Sequence, residues 1–417
     1  MFANIFLLVK LFALIIRQSS AHLRQFFHHL IHRLTYRPGI KNIVIVGASF
    51  AGYNAARHLV NCIPSGYRVV IIEKNSHFQL TWVLPRFCVV DGHDAKAFIP
   101  YGSYLRAPKD SYIWLQDTVE EIAPGEDGRG GKVRVTSGEV IDYEYLVLAT
   151  GSSAGLPSRV DQQDKCSGME ALLQHRKKIE SASDIVVIGG GPAGVELAAD
   201  AKERFPDKNV TLIHSRRTLL NDGFGTKLHD VMRKGLEKIG VKLVLGQKPA
   251  IPLGVTEGNI QLSDGSVHFD CLIKCTGQVP NTDLIRFAAA SAISKSGHIH
   301  VKPSLQISDD KCASIYAAGD VIDAGDTKNG RSAMQQGQVV ADNIVRDIRG
   351  KKQIEYCQEW WEGATTLTIG LKKGVTYITD GQAEWVISMS RKIELDSARV
   401  WKFLGVKPYE DPAAAKS

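Results

Sequence analysis

Two glycine-containing turns of this chain have the residue types that bind the phosphates of a dinucleotide. In the first turn, Gly47, Ser49 and Gly52 follow an apolar run at residues 42–46. Gly47 permits a tight turn, Gly52 allows the next helix to pack closely on the strand, and the N-terminus of that helix directs free N–H groups at a pyrophosphate. Ser49 replaces the middle glycine of the G-x-G-x-x-G pattern, but its side chain is small enough for the backbone to approach a phosphate.

An acid at the end of the next strand strengthens this interpretation. A second apolar run at residues 68–72 ends in Glu73. A carboxylate at that place accepts hydrogen bonds from the hydroxyls of an adenosine ribose. A glycine-rich turn alone is a weak signal, and a Rossmann-like turn that binds no nucleotide is the alternative. Strand, turn, helix, strand and acid together predict a dinucleotide site.

The second turn has the complete glycine pattern. Gly189, Gly191 and Gly194 follow an apolar run at residues 185–188 and precede a helical stretch. Each glycine takes the role described for the first turn, so a second dinucleotide-binding fold is predicted here.

The residues after the next strand indicate which nucleotide this second fold binds. The strand predicted at residues 210–213 ends in His214 instead of an acid, and Arg216 and Arg217 follow. Arginines at this place can pair with the 2′-phosphate of NADPH, whereas a carboxylate would bind the 2′-hydroxyl of NADH. The residue types favour NADPH over NADH, and the alternative is that both arginines form a solvated surface turn.

Glu196 is the candidate catalytic residue. It lies two residues after Gly194, near the place where a nicotinamide would approach its redox partner. We predict that it positions the nicotinamide or an electron acceptor. The alternative is that it only interacts favourably with the positive end of the helix dipole.

These turns require two large α/β domains, and the chain is long enough for them. It has 417 residues, 44% hydrophobic and 23% charged, which is typical of a globular protein. Seven scattered cysteines do not form a secreted disulfide framework. The net charge of +7 belongs to the N-terminal 40 residues, which contain no acid and five basic residues. The remainder has 46 basic (51 minus 5) and 44 acidic residues, so no nucleic-acid partner is expected.

The N-terminal 36 residues predict attachment to a membrane surface. Residues 2–16 are apolar except for Asn4 and Lys10, but they are fewer than the about 20 needed to span a bilayer. A second, amphipathic helix is predicted at residues 23–34. A cleaved secretory signal, a mitochondrial targeting segment and a helix docked on the protein are the alternatives to a permanent anchor. The basic, acid-free composition favours the mitochondrion over the endoplasmic reticulum or a lipid droplet.

Three further segments return the chain to the first fold. Thr150 and Gly151 follow the run YLVL, Thr276 and Gly277 follow CLIK, and a predicted strand at residues 315–317 leads to Gly319 and Asp320.

Together with the two turns, these segments resemble the flavoprotein reductases that have two dinucleotide-binding domains, the superfamily of glutathione reductase. A closer resemblance is to the branch homologous to apoptosis-inducing factor, which contains the ferroptosis-suppressor quinone reductases. The segments that carry it are GGGPAGVELAAD, NVTLIHSRRTLL and EGATTLTIGLKKGVTYI. The resemblance covers approximately residues 41–405. It implies FAD in the first fold, NADPH or NADH in the second, and a quinone or a soluble small molecule as electron acceptor.

The resemblance also implies a set of FAD contacts. Asp320 would bind the ribityl chain, Arg86 would contact FAD, and Val119 would hold the adenine through its backbone. Residues 77–90 differ from the usual sequence of the family at this place, so the resemblance leaves the identity of the substrate open. The residues that line the pyrophosphate would be Gly47, Ala48, Ser49, Phe50 and Ala51. Thr150 and Gly151 would mark the place where the chain crosses from the first domain to the second.

The predicted fold class is α/β, with two Rossmann-like domains and a small α+β C-terminal domain. We expect membrane-associating helices at residues 1–40, an FAD domain at 41–151 and 277–345, an NAD(P) domain at 152–276, and an interface domain at 346–417. The predicted activity is an FAD-dependent NAD(P)H oxidoreductase. The alternative is an FAD-binding cell-death or interaction protein with little turnover. No metal-ligand cluster is predicted, and the oligomeric state is left open.

Overall fold

The structure is a computed structural model that describes residues 2–101, 105, 107–221, 223–251, 255–325 and 327–412. The helices are α1 Phe2–Thr35, α2 Phe50–Leu59, α3 Leu84–Phe87, α4 Lys165–Ser181, α5 Pro192–Arg204, α6 Thr226–Ile239, α7 Asp283–Arg286, α8 Gly330–Ile348 and α9 Ser397–Phe403. The strands are β1 Lys41–Val46, β2 Tyr67–Ile72, β3 His77–Gln79, β4 Phe98–Pro100, β5 Tyr112–Leu115, β6 Val119–Pro124, β7 Gly131–Val135, β8 Val140–Tyr143, β9 Tyr145–Leu148, β10 Ser152–Ser153, β11 Asp184–Ile188, β12 Asn209–His214, β13 Lys242–Leu245, β14 Gly258–Leu262, β15 Gly265–Phe269, β16 Cys271–Lys274, β17 Val279–Pro280, β18 Ile315–Ala317, β19 Thr365–Ile369, β20 Lys373–Thr379 and β21 Glu384–Ser390.

The chain divides into two compact units. The first unit contains Met1–Phe78, Tyr101–Ser153 and Val279–Gly363, and the second contains Gln79–Pro100, Ala154–Gln278 and Ala364–Ser417. In this division residues 1–40 belong to the first unit and residues 364–417 to the second, and neither segment is a unit of its own. Residues 79–100 pack with the second unit, and residues 346–363 pack with the first. Sequence order alone does not reveal such long-range packing.

The first unit is built on a five-stranded sheet in the order β18-β9-β1-β2-β5. All neighbouring strands are parallel. Val46, Ile72 and Leu148 lie level with one another where three of the strands end, so the loops that follow them share one edge of the sheet. Strands β1 and β9 are almost entirely buried, as expected for parallel strands covered on both faces.

Helices α2 and α8 pack closely together in this unit. A Cβ atom added to Gly337 of α8 would lie 2.3 Å from the carbonyl oxygen of Ala51 in α2, a distance that no side chain tolerates. The glycine therefore sets the close approach of α8 to the helix that follows the first glycine-rich turn. An antiparallel sheet in the order β6-β7-β8 and the antiparallel pair β10–β17 also belong to this unit.

The second unit contains a four-stranded parallel sheet in the order β13-β12-β11-β16. Its core includes Val186, Ile188 and Ile213 from the sheet, with Ile260 and Phe269 from the antiparallel pair β14–β15. Ile188 lies level with Ile213 and Lys274, so the turn after β11 and the residues after β12 emerge at one edge.

The C-terminal residues of the second unit form an antiparallel sheet in the order β19-β20-β21, followed by α9. Trp401 of α9 is buried, and its indole Nε1 donates a hydrogen bond to the carbonyl oxygen of Lys96 at 3.1 Å. This contact joins the C-terminal segment to residues 79–100 within one unit.

The N-terminal segment is one continuous α-helix, α1, and the prediction of two helices is wrong. Residues 17–22 connect the two predicted helices without a proline or a glycine. The Ser20 hydroxyl donates to the carbonyl oxygen of Arg17 at 2.9 Å, a bond that is compatible with a helix. Among the described residues, α1 is the one helix long and apolar enough to cross a membrane, with a mean hydropathy of 1.4 in its most apolar window.

Candidate dinucleotide-binding sites

The first glycine-rich turn has the geometry of a phosphate-binding loop. Gly47 has a φ of +92°, and a Cβ there would lie 2.5 Å from the carbonyl oxygen of Ala149. A Cβ on Gly52 would lie 1.8 Å from the carbonyl oxygen of Gly47. Ser49 is the N-cap of α2, and its side chain makes no capping hydrogen bond. The two close approaches require glycine at both positions. Because no side chain caps α2, the N–H groups at its N-terminus can bind an anion.

Glu73 follows β2 and bonds to this turn. Its Oε2 accepts from the backbone N–H of Ala48 at 2.5 Å, while its Oε1 accepts from the backbone and side-chain nitrogens of Asn75, both at 2.8 Å. Burial raises the pKa of Glu73, and these hydrogen bonds oppose the increase. The carboxylate is thus held at the end of the strand, where it supports the turn and can face a ribose.

Asp320 lies near the end of β9, because β18, which precedes it, pairs with β9. Its Oδ2 accepts from the Ser152 hydroxyl at 3.2 Å. The preceding Gly319 has a φ of +88°, and its N–H donates to Oε1 of the buried Gln336 at 2.8 Å. These bonds place the Asp320 carboxyl group beside the crossing segment Thr150–Gly151 of the first unit.

Asn281 fixes that crossing segment. Its side-chain nitrogen donates to the Thr150 carbonyl at 2.8 Å, its backbone N–H donates to the Gly151 carbonyl at 3.0 Å, and its own carbonyl accepts from the Thr150 hydroxyl at 2.7 Å. Gly151 has a φ of +65°, which favours glycine. Sequence reasoning missed Asn281, although it lies only four residues after Gly277.

The other predicted FAD residues have local partners. The ring of Phe50 contacts that of Phe78 edge-on at 5.0 Å between centroids, and the Ala48 carbonyl accepts from the Tyr101 hydroxyl at 3.0 Å. Val119 is buried in β6 and pairs with Val135.

The second turn repeats the geometry of the first. Gly189 has a φ of +114°, and a Cβ there would lie 2.5 Å from the carbonyl oxygen of Cys275. A Cβ on Gly194 would lie 2.0 Å from the carbonyl oxygen of Gly189. Gly191 is the N-cap of α5 and faces open space. The turn thus leaves room for a phosphate at the start of α5.

His214 takes the structural place of Glu73 in the second turn. Its Nδ1 accepts from the backbone N–H of Gly190 at 3.0 Å, just as Glu73 accepts from Ala48. An accepting Nδ1 carries no proton, so the ring is neutral with its hydrogen on Nε2. The turn is supported without the negative charge that a carboxylate would bring near a 2′-phosphate.

Arg216 and Arg217 follow His214 at the exposed end of β12. The Arg216 carbonyl accepts from the N–H of Gly246 at 2.8 Å, and its Nη1 donates to the Leu220 carbonyl at 3.4 Å. These contacts hold the backbone beside His214 and leave both guanidinium groups at the surface.

Glu196 is buried within the second unit. Its Oε1 accepts from the backbone N–H of Thr368 at 2.9 Å and from the Thr368 hydroxyl at 3.2 Å. Burial, together with the nearby Asp200, raises its pKa to about 8. The carboxyl group is therefore mostly protonated at neutral pH and can act as a hydrogen-bond donor.

Arg86 has partners within the second unit. Its Nε donates to Oδ2 of Asp200 at 2.6 Å, its Nη1 to the Leu371 carbonyl at 3.0 Å and its Nη2 to the Gly370 carbonyl at 2.9 Å. Both ionic side chains are completely buried. Burial raises the pKa of Asp200 to about 6, although Arg86 opposes the increase. These bonds give Arg86 a structural role, and its contact with FAD stays a prediction from the resemblance.

Sequence reasoning missed the residues that surround Glu196. Asp200 lies four residues after Glu196 on α5, and side chains at that spacing are neighbours on a helix. The sequence could therefore have predicted that Asp200 lies beside Glu196. Thr368 lies 172 residues away and gives no local signal. Within the described ranges, no group of three or more histidine, cysteine or acidic residues could hold a metal ion.

Comparison with known proteins gives consistent results. The chain is 32% identical to the Fe-regulated protein 8 of Mycosarcoma maydis over 394 residues, covering 88% of this chain and 95% of that protein. It is 26% identical to the ferroptosis suppressor protein 1 of Homo sapiens, covering 90% and 99% of the two chains. The fold resembles that of the sulfide:quinone oxidoreductase of Aquifex aeolicus, with a TM-score of 0.69 at 19% identity over 87% of this chain and 90% of that one.

The family of pyridine nucleotide-disulphide oxidoreductases matches residues 41–338. This match and these relatives confirm the predicted branch, the α/β fold with Rossmann-like domains, and an FAD-dependent oxidoreductase that uses NAD(P)H. With two glycine-rich turns, each bonded to a residue at the end of its second strand, the chain belongs to the pyridine nucleotide-disulphide oxidoreductase family.

Proposed function

We propose that this oxidoreductase takes electrons from NADPH and delivers them, by way of FAD, to a quinone or a similar small apolar acceptor at a membrane. The observation that carries the proposal is the pair of turns, one bonded to the carboxylate of Glu73 and the other to the neutral ring of His214. The difference between these two residues supports the binding of FAD by the first fold and of NADPH by the second.

The residues of the first unit fit FAD. The turn at Gly47–Gly52 accommodates the pyrophosphate, because a Cβ on either glycine would collide with backbone. Glu73 faces the ribose, and Asp320 approaches from the segment before α8 to bind the ribityl chain. FAD, when bound, supplies the capacity to accept a hydride and to release its electrons to an acceptor.

The residues of the second unit fit NADPH. The neutral His214 avoids repulsion of a 2′-phosphate, and the guanidinium groups of Arg216 and Arg217 can pair with it at the exposed end of β12. A carboxylate in place of His214 would favour the 2′-hydroxyl of NADH instead.

Glu196 is the proposed catalytic residue of the second unit. Because burial holds its carboxyl group mostly protonated at neutral pH, it can donate a hydrogen bond to a carbonyl group. The carboxamide of a nicotinamide and the carbonyl oxygens of a quinone both have such an acceptor. Thr368 fixes the orientation of the side chain through two hydrogen bonds.

Two observations support an apolar acceptor at a membrane. One structural relative is named as a sulfide:quinone oxidoreductase. The other is α1, which exposes large apolar side chains at residues 5–16 and again at residues 23–34. We propose that residues 1–36 attach the protein to a membrane, and the acid-free composition of residues 1–40 favours the mitochondrial membrane.

Anaerobic reduction of the flavin tests the proposed electron path. Mixing the purified protein with NADPH should bleach the flavin absorbance at about 450 nm, and a quinone should restore it. The absence of bleaching would favour the alternative, an FAD-binding interaction protein with little turnover. Recovery with soluble acceptors but not with a quinone would contradict the proposed acceptor.

Coenzyme choice is tested by replacing Arg216 and Arg217 with alanine. The double variant should lose its preference for NADPH over NADH, measured as the ratio of the two kcat/KM values for flavin reduction. The matched control is Arg233→Ala, which removes another exposed arginine of the second unit, one that pairs with Glu237 at 3.2 Å. Equal ratios in wild type, double variant and control would contradict the role of the two arginines.

Deletion of residues 1–36 tests membrane attachment in cells. The shortened protein should leave the membrane fraction and keep its flavin. Full-length protein in mitochondrial membranes would support the proposed organelle, and continued sedimentation of the shortened protein with membranes would contradict attachment through this segment.

A further inference from the structure

Helix α1 has an unusual arrangement, because its apolar side chains point away from the protein. Thirteen large apolar residues of α1 are at least half exposed, which we call the apolar strip: Ile5, Phe6, Leu8, Val9, Phe12, Ile15, Ile16, Leu23, Phe26, Phe27, Leu30, Ile31 and Leu34. At 3.6 residues per turn they share one side of the helix, in two runs at residues 5–16 and 23–34 that the exposed Ser19 and Ser20 separate. A soluble surface helix has the opposite pattern, with its apolar side toward the core.

The opposite side of α1 faces the protein along most of the helix. Leu7 and His32 are buried, and Leu11, Ala21 and Gln25 are half-buried at positions that share this side. The strip and the protein-facing side are about half a turn apart. The helix is therefore covered by protein on one side and exposed on the other.

Polar contacts hold the covered side in place within the first unit. Nη2 of Arg17 contacts Oε1 of Glu359 at 2.7 Å, and Nε2 of His32 donates to the carbonyl oxygen of Ile63 at 2.8 Å. Just beyond the helix, the Tyr36 hydroxyl donates to the carbonyl oxygen of Tyr67 at 2.7 Å. These contacts lie at the middle and at the end of α1, so the helix lies side-on to the protein and is not joined to it at one end only.

The charges of α1 also oppose a membrane-spanning placement. Its basic residues are Lys10, Arg17, Arg24 and Arg33, and any stretch of about 20 residues within the helix contains at least two of them. A spanning placement would carry these cations into the hydrocarbon core and would break the contact between Arg17 and Glu359. Lys10, Arg17 and Arg24 instead lie along one border of the strip, where Arg17 keeps its contact with Glu359 and Lys10 and Arg24 can reach lipid phosphates.

We infer that α1 lies in the plane of a single leaflet of anionic phospholipid, with the apolar strip at the depth of the upper acyl chains and its basic border among the headgroups. This inference rests on the proposed membrane attachment and specifies its geometry. Because the helix enters one leaflet only, the protein remains on one side of the membrane. The absence of acids from residues 1–40 suits a negatively charged surface.

Accessibility of the N-terminus separates an in-plane helix from a spanning one. The probe is a new cysteine at Ala3→Cys in the full-length flavoprotein, with the two exposed native cysteines, Cys166 and Cys357, changed to serine. The protein is added to sealed vesicles of phosphatidylcholine and phosphatidylserine and treated with a membrane-impermeant maleimide. Ala3 lies two turns before Lys10 on the same border, so we expect labelling without detergent. A chain that keeps Cys166 is the positive control.

The apolar strip is tested by vesicle flotation. The double variant Phe12→Glu with Phe26→Glu should reduce the partition coefficient on the same vesicles at least about tenfold, because both rings leave water on binding. The matched control is Phe287→Glu, which changes a phenylalanine that is 97% exposed outside α1. It should bind like the wild type. Vesicles of phosphatidylcholine alone should bind the wild type several-fold more weakly, since the basic border loses its anionic partner. Retained flavin absorbance shows that each variant is folded.

The possible results have different consequences. Flotation with labelling of the cysteine supports the in-plane helix. Flotation with a cysteine that reacts only after detergent overturns it and leaves membrane attachment in place. Wild-type protein that does not float, while NADPH still bleaches its flavin, overturns both the in-plane helix and the attachment without affecting the proposed reductase. Equal binding of the strip variant and the control overturns the role of the strip.

Discussion

Replacing Arg86 with methionine would remove three hydrogen-bond donations from the interior of the second unit while keeping an unbranched side chain. Asp200 would lose its cation. Because its pKa is about 6 in the intact pair, it can take up a proton at pH 7 for about 1 kcal/mol. The carbonyl oxygens of Gly370 and Leu371 would each lose a donor, at about 1–3 kcal/mol apiece. These contributions amount to about 3–7 kcal/mol. Breaking a buried ion pair usually costs about 3–5 kcal/mol, so we expect a loss of that size in the free energy of unfolding.

The measurement is urea unfolding at neutral pH, followed by tryptophan fluorescence and by release of the flavin. The matched control is Arg204→Met, which breaks an exposed pair with Asp91 at 3.9 Å in the same unit and should cost less than about 1 kcal/mol. Changing Asp200→Asn together with Arg86→Met should recover part of the loss, because no acid is then buried without a partner. The effect of Arg86→Met should also shrink at about pH 5, where Asp200 is largely protonated even in the wild type.

Two results would refute this reasoning. A loss no larger than that of Arg204→Met would show that the buried pair contributes no more than an exposed one. A variant with an unchanged urea midpoint that no longer retains FAD would show that Arg86 binds the flavin, as the family resemblance implied, and does not act through Asp200.

The remaining predictions concern the two turns and the docking of α1. Gly194→Ala would place a Cβ 2.0 Å from backbone and should weaken NADPH binding in a flavin-reduction titration at least about tenfold, while Gly155→Ala, which faces open space, should not change it. Glu73→Gln introduces an amide donor opposite the N–H groups of the turn and should lower the flavin-to-protein ratio after dialysis, so an unchanged ratio would count against its role. Burial and the nearby His58 lower the pKa of His29 from 6.5 to about 4, so the docked helix favours the neutral ring. Docking should therefore be strongest above about pH 6.5 and weaken as the pH falls toward 4, seen as faster corrected amide exchange in α1, and His29→Gln should reduce this pH dependence.

The parts of the fold that follow from short stretches of sequence could be predicted. Gly52 and Glu73 belong to a strand–turn–helix–strand pattern in which each residue type has a local geometric reason. Asp320 is distant in sequence but follows a recognisable strand and glycine. The same pattern predicted that His214 lies at the end of the strand after the second turn. It did not predict that the His214 ring accepts the hydrogen bond from the turn that a carboxylate accepts in the first fold.

The contacts between distant segments could not be predicted. Arg86 meets Asp200 across 114 residues and Gly370 across 284, and its side chain carries no sign of either partner. The continuity of α1 was missed for another reason. Serines and a histidine at residues 19–22 lowered the apolar periodicity, yet none of them ends a helix when its neighbours already form one.

The strand order of the first unit has a consequence for the synthesis of the chain. The parallel sheet of the second unit takes its strands from residues 184–274, so it is complete soon after they leave the ribosome. The sheet of the first unit receives β18 beside β9 only after 169 further residues (317 minus 148). At about 5–20 residues per second this takes roughly 10–30 seconds. During that time β9 has an unpaired edge and Asp320 has not been made, so FAD can be fully held only after all strands of the NAD(P) parallel sheet have been made.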